Sequence, residues 1–130
     1  MRRIRSTNTK PEMLLRKALH ARGLRFRLHG RQLPGKPDIV MPKHRVAIFV
    51  HGCFWHRHEG CKVATTPKSN TPFWIAKFDR NVTRDERVRA ELEAAGWRVV
   101  ISWECEVDTQ AKAAVTAERL DKLIRGVAQL

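Results

Sequence analysis

The sequence is poor in cysteine, lacks tyrosine altogether and contains no long apolar run. Its three cysteines are an odd number that does not suit a disulfide framework, and they fit better a cytosolic protein that holds a metal. No apolar stretch approaches the length needed to span a bilayer, and no signal peptide is visible. These absences argue against a secreted disulfide scaffold and against a membrane protein.

Acidic residues are also scarce, since thirteen Asp and Glu stand against twenty-six Lys and Arg, for a formal net charge of +13. The imbalance is greatest in residues 1–31, which hold ten basic residues and a single acid, Glu12. A field of this sign favours a polyanion, most often nucleic acid. A merely solvated basic surface is the alternative, whereas a membrane surface would need a broader aromatic and leucine face on the first helix.

With 130 residues, 42% of them hydrophobic, the chain is long enough to bury a core, and we expect a single domain over residues 1–130. Residues 1–8 are basic and without pattern, which predicts a mobile arm. Apolar spacing and turn residues predict a helix 9–23, a strand 24–29, a hairpin of strands 38–41 and 45–50, a helix 71–95, a strand 97–103 and a helix 110–127. This order of elements predicts an α/β fold with a mixed sheet flanked by helices.

The two longer helices carry apolar faces that we expect to pack on the sheet. The first of them begins with Thr71 as N-cap and Pro72 in its first turn. The expected inward residues are Ile75, Phe78, Val82, Val88, Leu92 and Ala95 there, and Ala114, Leu120, Leu123 and Ile124 in the last helix. The predicted helix 71–95 also has a basic stripe, which either contacts phosphates or is a solvated face. This stripe consists of Lys77, Arg80, Arg84 and Arg87.

The stretch 51–61 follows a buried strand and holds three of the six histidines and two of the three cysteines. Within it, Cys53-x4-His58-x2-Cys61 offers two thiolates and an imidazole, which suit zinc. A structural zinc site takes four ligands. If strand 97–103 lies beside strand 45–50, Cys105 meets this loop and completes a Cys3His site. The alternatives are three unrelated reduced thiols and a catalytic zinc with an open position, which is disfavoured because four ligands would close the shell.

Asp38 stands at the outer end of the predicted hairpin, opposite the end of the next strand. Many nucleases place Mg²⁺ in this way, with the motif PD-(D/E)xK adding a second carboxylate and a lysine. This chain has Phe49-x-His51 at that point. One carboxylate and a backbone carbonyl can suffice, because Mg²⁺ keeps waters and phosphates as ligands. A turn-capping aspartate is the alternative for Asp38.

Two histidines remain in the loop once His58 is assigned to zinc. His51 and His56 can each act as general acid or base beside a phosphate, or each can be a buried structural histidine. Glu12 is a candidate second carboxylate near the metal, although it also fits a capping box with Thr9.

Large aromatic residues offer a way to test base pairing. Phe54, Trp55 and Trp74 could insert between base steps, which costs least where pairing is already defective. Core packing is the alternative for all three, and it is the preferred interpretation for Trp97 and Trp103.

Four segments of the chain strongly resemble the very short patch repair (Vsr) DNA mismatch endonucleases, over roughly residues 3–125. The segments are Leu33-Pro34-Gly35-Lys36-Pro37-Asp38, Val46-Ala47-Ile48-Phe49-Val50-His51-Gly52-Cys53-Phe54-Trp55-His56, Asn70-Thr71-x-Phe73-Trp74, and Gly96-Trp97-Arg98-Val99 running to Trp103-Glu104-Cys105. The resemblance implies a restriction-endonuclease-like three-layer fold. It also implies nicking on the 5′ side of a thymine mispaired with guanine, the lesion left when 5-methylcytosine deaminates.

The resemblance further implies a role for each candidate residue. Asp38 would bind Mg²⁺ together with the backbone carbonyl of Val50, and His56 would be the catalytic base, with His51 and Glu12 in support. The implied zinc ligands are Cys53, His58, Cys61 and Cys105. The implied intercalating residues are Phe54, Trp55 and Trp74.

Two features depart from the family pattern. Members often have a longer segment before Arg2-Arg3-Ile4, with a helix that contacts DNA, and some have one residue fewer between His58 and Cys61. We expect a monomer that acts on double-stranded DNA in the bacterial cytoplasm, at the nucleoid, with mismatch-repair proteins as potential partners. A general restriction-type nuclease and a zinc-stapled, non-catalytic DNA-binding module remain the alternatives.

Overall fold

The computed structural model describes residues 9–53, 56–61 and 66–127, so the predicted arm 1–8 and the wedge candidates Phe54 and Trp55 lie outside the described residues. The elements are α1 (Lys10–Ala21), β1 (Arg27–Leu28), β2 (Ile39–Met41), β3 (Val46–His51), α2 (Thr71–Ala94), β4 (Arg98–Trp103), a short 3-10 turn (Glu104–Glu106) and α3 (Gln110–Val127). None of the helices in these ranges is long and apolar enough to cross a membrane.

The four strands form one mixed sheet in the order β1-β2-β3-β4. Strand β2 runs antiparallel to both of its neighbours, β1 and β3, and the β2–β3 pair confirms the predicted hairpin. Strand β4 is parallel to β3, with His51 opposite Trp103, as the metal-site prediction required. A parallel pair needs a crossover connection, and α2 supplies it.

Residues of β3 alternate between the two faces of the sheet, as a buried strand requires. Ala47 and Phe49 pack with Leu92 of α2 on one face. Val46 and Ile48 belong to a larger cluster on the other face. That cluster, formed with α1 and α3, contains Leu15, Leu19, Leu24, Ile39, Met41, Val46, Ile48, Val107, Ala113, Ala117, Leu120 and Ile124. The fold therefore has three layers, with the sheet between α2 and the pair α1/α3.

The first helix begins and ends as predicted, but the strand after it is shorter. The Thr9 side chain accepts a hydrogen bond from the Glu12 backbone N–H, and Gly23 takes a φ of +82° just after the helix. Strand pairing is limited to Arg27–Leu28 instead of residues 24–29. Leu24 instead packs into the main core, and His29, at a φ of +53°, leaves the extended conformation.

Three details of α2 differ from the prediction. The N-cap of α2 is Asn70, in the left-handed region at a φ of 55°, and the Thr71 hydroxyl donates back to the Pro67 carbonyl. Ile75 is exposed at the start of α2, whereas Phe78 and Leu92 are buried. Ala95 is also exposed, because it follows the end of the helix.

The buried face of α3 includes two of the four residues expected there, Leu120 and Ile124, but not the other two, Ala114 and Leu123. It consists of Ala113, Thr116, Ala117, Leu120, Asp121 and Ile124. These residues recur at three- and four-residue steps and therefore share one face. Ala114 and Leu123 lie beside that face and are exposed.

Candidate active site and metal centre

Asp38 lies at the open end of the β2–β3 hairpin, immediately before β2. Its Oδ2 accepts a hydrogen bond of 2.7 Å from the backbone N–H of Val50, at the end of β3. Burial, reinforced by the charge of Glu12, raises the pKa of Asp38 to about 6, against the lowering effect of the Val50 N–H and of two histidines. A half-buried carboxylate with a raised pKa is one that a cation would stabilise in its charged form.

Asp38 shares a cavity of about 590 Å³ with three other candidate residues, Val50, His51 and His56. The cavity lies between the segment that precedes β2 and the middle of α2, over the ends of the central strands. The described structure therefore brings the predicted metal carboxylate and both loop histidines to one place.

The two loop histidines stack on each other, with ring centroids 3.9 Å apart and planes inclined by 9°. His56 Nδ1 lies 2.6 Å from Asp85 Oδ2. Because an ionised carboxylate only accepts hydrogen bonds, Nδ1 carries a proton, and in the neutral ring Nε2 then has the lone pair. Burial and the adjacent His56 lower the pKa of His51 to about 4, so His51 is neutral at neutral pH.

Asp85 is a site residue that the sequence analysis missed. It lies on α2, and its spacing of three residues from both Val82 and Val88 places it within the predicted apolar stripe. An acid in such a stripe needs a buried partner. That position was the available signal, and His56 is the partner.

Glu12 is a buried carboxylate that reaches the site through a neighbour. Its Oε2 accepts hydrogen bonds from His29 Nε2 at 3.0 Å and from Arg16 at 3.3 Å. The His29 backbone N–H in turn donates to the Asp38 carbonyl at 2.9 Å. His29 lines the cavity and Glu12 is not among the lining residues, so Glu12 acts on the site by charge and by holding His29.

Four side chains form a second group beside the cavity, namely Cys53, His58, Cys61 and Cys105. Their ligand atoms all lie within 4.8 Å of one another, close enough to hold a metal ion. The parallel pairing of β3 with β4 brings the segments after both strands together. Three cysteines and one histidine are a donor set typical of structural zinc.

Two of the three thiols of this group, those of Cys53 and Cys105, have raised pKa values. Burial and the Cys53 and Cys61 thiols raise the pKa of Cys105 to about 12, and burial also raises the pKa of Cys53. Without a cation, Cys53 and Cys105 therefore keep their protons at neutral pH. A metal ion bound here would displace them, because thiolates are the ligating form.

Two of the tryptophans differ in environment from each other. Trp103 stacks on His58 at 4.3 Å and meets the His51 ring edge-on at 5.4 Å, so it separates the metal group from the cavity. The core assignment of Trp103 was therefore wrong, whereas Trp97 packs against the α2-side cluster as expected. Trp74 is half-buried at the start of α2, beside Phe78.

Comparison with known proteins identifies the family. The family model described as "DNA mismatch endonuclease Vsr" matches residues 1–62. The Type II nicking enzyme V.XorIIP of Xanthomonas oryzae is 51% identical over 107 residues, which are 82% of this chain and 78% of that protein. V.NmeAIP, a Type II nicking enzyme of Neisseria meningitidis, is 43% identical over 127 residues, which cover 98% of this chain and 88% of that protein. The DNA mismatch endonuclease Vsr of Escherichia coli is 42% identical over 128 residues, which cover 97% of this chain and 81% of that protein. The chain belongs to the Vsr family of DNA mismatch endonucleases.

Proposed function

We propose that this protein nicks double-stranded DNA on the 5′ side of the thymine in a T:G mismatch, in an Mg²⁺-dependent hydrolysis that starts very short patch repair. Membership of the family supports an endonuclease that acts on DNA. The observation that carries the proposal is the shared cavity, in which the Asp38 carboxylate meets the hydrogen-bonded pair of His56 and Asp85.

The His56–Asp85 pair suits a general base. Asp85 fixes Nδ1 as the protonated nitrogen, which leaves Nε2 to take a proton from an attacking water. Asp85 then stabilises the imidazolium that forms. His51, neutral and stacked on His56, limits the rotation of that ring and keeps a second positive charge away from it.

The oxygen donors at the hairpin end fit Mg²⁺. Asp38 has one oxygen held by the Val50 N–H, and no described residue is bonded to the other oxygen, which would bind the cation together with the Val50 carbonyl. Hard oxygen ligands in small number are what Mg²⁺ takes when waters and phosphate complete its shell. When bound, Mg²⁺ would supply charge stabilisation for the phosphate and the leaving oxygen.

Zinc is the proposed occupant of the Cys53, His58, Cys61 and Cys105 group, in a structural role. Four ligands close its shell, so no position is left for a substrate. The loop that carries His56 would thereby be tied to the end of β4. This link would hold the proposed base near Asp38.

DNA binding would involve several parts of the chain. The net charge of +13 and the basic stripe on α2 suit phosphate contacts. Trp74, with Phe54 and Trp55, is proposed to insert beside the mismatch. We further propose a monomeric, single-domain, restriction-endonuclease-like enzyme of the bacterial cytoplasm that acts at the nucleoid with mismatch-repair proteins.

The test is cleavage of a labelled duplex that holds one T:G pair, compared with the same duplex holding T:A, in the presence of Mg²⁺. We expect a single nick 5′ of the mismatched thymine, and no nick with Asp38→Ala, which should still bind the duplex. Equal cleavage of both duplexes would indicate a general nuclease. Binding without cleavage would indicate a non-catalytic module, and unchanged nicking by Asp38→Ala would refute the assigned site.

A further inference from the structure

Lys36 occupies an unusual backbone position at the rim of the cavity. Its φ is +51°, in the left-handed region that lysine rarely adopts, and its N–H closes a turn onto the Leu33 carbonyl at 3.1 Å. The preceding Gly35 is so close to α2 that a Cβ there would lie 2.4 Å from a methyl of Val88. The turn is therefore pinned to α2, and this contact fixes where Lys36 projects.

Lys36 lines the same cavity as Asp38 and faces a wall formed by α2, which contributes Arg84. Within the described part of the chain, neither Lys36 nor Arg84 forms an ion pair. The recorded bond of the Arg84 side chain is a long one, 3.4 Å, to Asn81 on the same helix. Both charges are therefore available to an anion that enters the cavity.

The acids of the cavity do not neutralise these cations. Asp85 is bonded to His56, and Asp38 accepts from the Val50 N–H and is the proposed metal ligand. Arg89, a further cation on the α2 wall, pairs with Glu93 at 3.3 Å. Arg31 also lines the cavity and likewise has no ion pair within the described residues. Lys36 and Arg84 differ from it in their place in the chain, since Lys36 lies two residues before Asp38 and Arg84 lies next to Asp85, the partner of His56. Unpaired positive charge therefore lies on both walls, with Lys36 on the side of Asp38 and Arg84 on the side of His56.

We propose that Lys36 and Arg84 bind the two DNA phosphates that flank the scissile phosphate, one from each wall of the cavity. This inference rests on the proposed nuclease function of the same site. Nucleases with the PD-(D/E)xK motif carry a lysine two positions after the second acid, where this chain has His51. Lys36 supplies a cation to the cavity from a different place, two residues before Asp38.

The test measures DNA binding without Mg²⁺, so it does not depend on cleavage. Lys36→Asn removes the charge but suits the backbone, because asparagine tolerates the left-handed region better than most residues. Lys36→Arg keeps the charge, and Arg84→Gln tests the opposite wall. Lys43→Asn is the matched control, since Lys43 is an exposed lysine in the β2–β3 turn, at the end of the sheet opposite Asp38.

Affinity is measured over a range of salt concentrations, on a T:G duplex and on duplexes with one flanking phosphate replaced by a neutral methylphosphonate. We expect Lys36→Asn to weaken binding roughly three- to tenfold and to reduce the salt slope by about one, as for the loss of one phosphate contact. The neutral phosphate on one side should weaken the wild-type protein but have no further effect on Lys36→Asn. Arg84→Gln should show the same insensitivity on the other side.

Additive effects of the substitution and the neutral phosphate, or a salt slope equal to that of Lys43→Asn, would overturn the inference. So would a failure of Lys36→Arg to restore affinity. A wild-type protein that shows these couplings but does not nick would refute the proposed function and leave Lys36 and Arg84 as phosphate ligands. A wild-type protein that nicks the mismatched duplex but shows no such couplings would support the proposed function and refute the role of Lys36 and Arg84.

Discussion

His56 Nδ1 and Asp85 Oδ2 are 2.6 Å apart, although the two residues are separated by 29 positions in the chain. His56 belongs to the loop that also carries Cys53 and His58, whereas Asp85 lies in the middle of α2. This hydrogen bond therefore joins two elements of the site. It also selects the ring nitrogen of His56 that can accept a proton.

Asp85→Asn should slow nicking of the mismatched duplex by roughly 100-fold, the scale of a misplaced general base. The amide can donate to Nδ1 and so favour the wrong tautomer, and it no longer stabilises a positive ring. The single-turnover rate with saturating enzyme isolates this step from binding. Glu86→Gln, a charge-neutralising change of the next residue, is the control and should keep the rate. An unchanged rate in Asp85→Asn would exclude a catalytic role for the pair.

Nicking should require a higher Mg²⁺ concentration at acid pH, because Asp38 becomes protonated. Its pKa is raised to about 6, so the carboxylate is largely protonated below that pH and ionised above it. Only the ionised form binds a cation, so the apparent Kd for Mg²⁺ should rise about tenfold for each pH unit below 6. The neutral state of His51 above about pH 4 adds no competing charge in this range. The measurement is the nicking rate as a function of Mg²⁺ concentration, repeated at several pH values between roughly 5 and 8, so that the range extends to both sides of the pKa of Asp38. A Kd independent of pH would contradict the assignment of Asp38.

Glu12→Gln should move the acid limb of that pH profile to lower pH. The negative charge of Glu12 raises the pKa of Asp38, so its removal lets Asp38 ionise more easily. Glutamine keeps an acceptor for the His29 and Arg16 bonds, which limits the structural damage. The midpoint of the Mg²⁺ profile is the measurement, with Glu91→Gln, an exposed acid of α2, as the control. A lower rate with an unshifted midpoint would mean that Glu12 serves only the fold.

The metal group could be assembled from sequence because its geometry depends on one strand pairing. Cys53, His58 and Cys61 are close in the chain, and Cys105 joins them only if β4 lies beside β3 in parallel. The sequence analysis stated that pairing as a condition, and the structure meets it. Every cysteine of the chain lies in the group, and this fits the prediction.

The positions of Asp85 and Trp103 in the site could not be predicted from the sequence. The rotation of α2 about its axis decides whether Asp85 faces solvent or His56, and periodicity defines that rotation only to about one residue. The same uncertainty led to Ile75 and Leu123 being assigned to the core, whereas each is nearly half exposed. Trp103 ends a strand whose other residues are largely covered, so only the positions of His51 and His58 reveal that it lies between two sites.

Cys105→Ser should reduce the zinc content from one ion per chain towards zero and lower the melting temperature by at least roughly 5 °C. The serine hydroxyl does not replace a thiolate, and three remaining ligands bind zinc less tightly. Cys105→His is the matched control, because imidazole is also a zinc ligand and can complete a Cys2His2 set. Elemental analysis of the purified proteins and thermal unfolding give the two readings. Retention of a full zinc complement by Cys105→Ser would exclude the four-ligand site. Loss of zinc with unchanged melting would show that the metal does not staple the loop to β4, and the His56–Asp85 contact would then depend on side-chain packing alone.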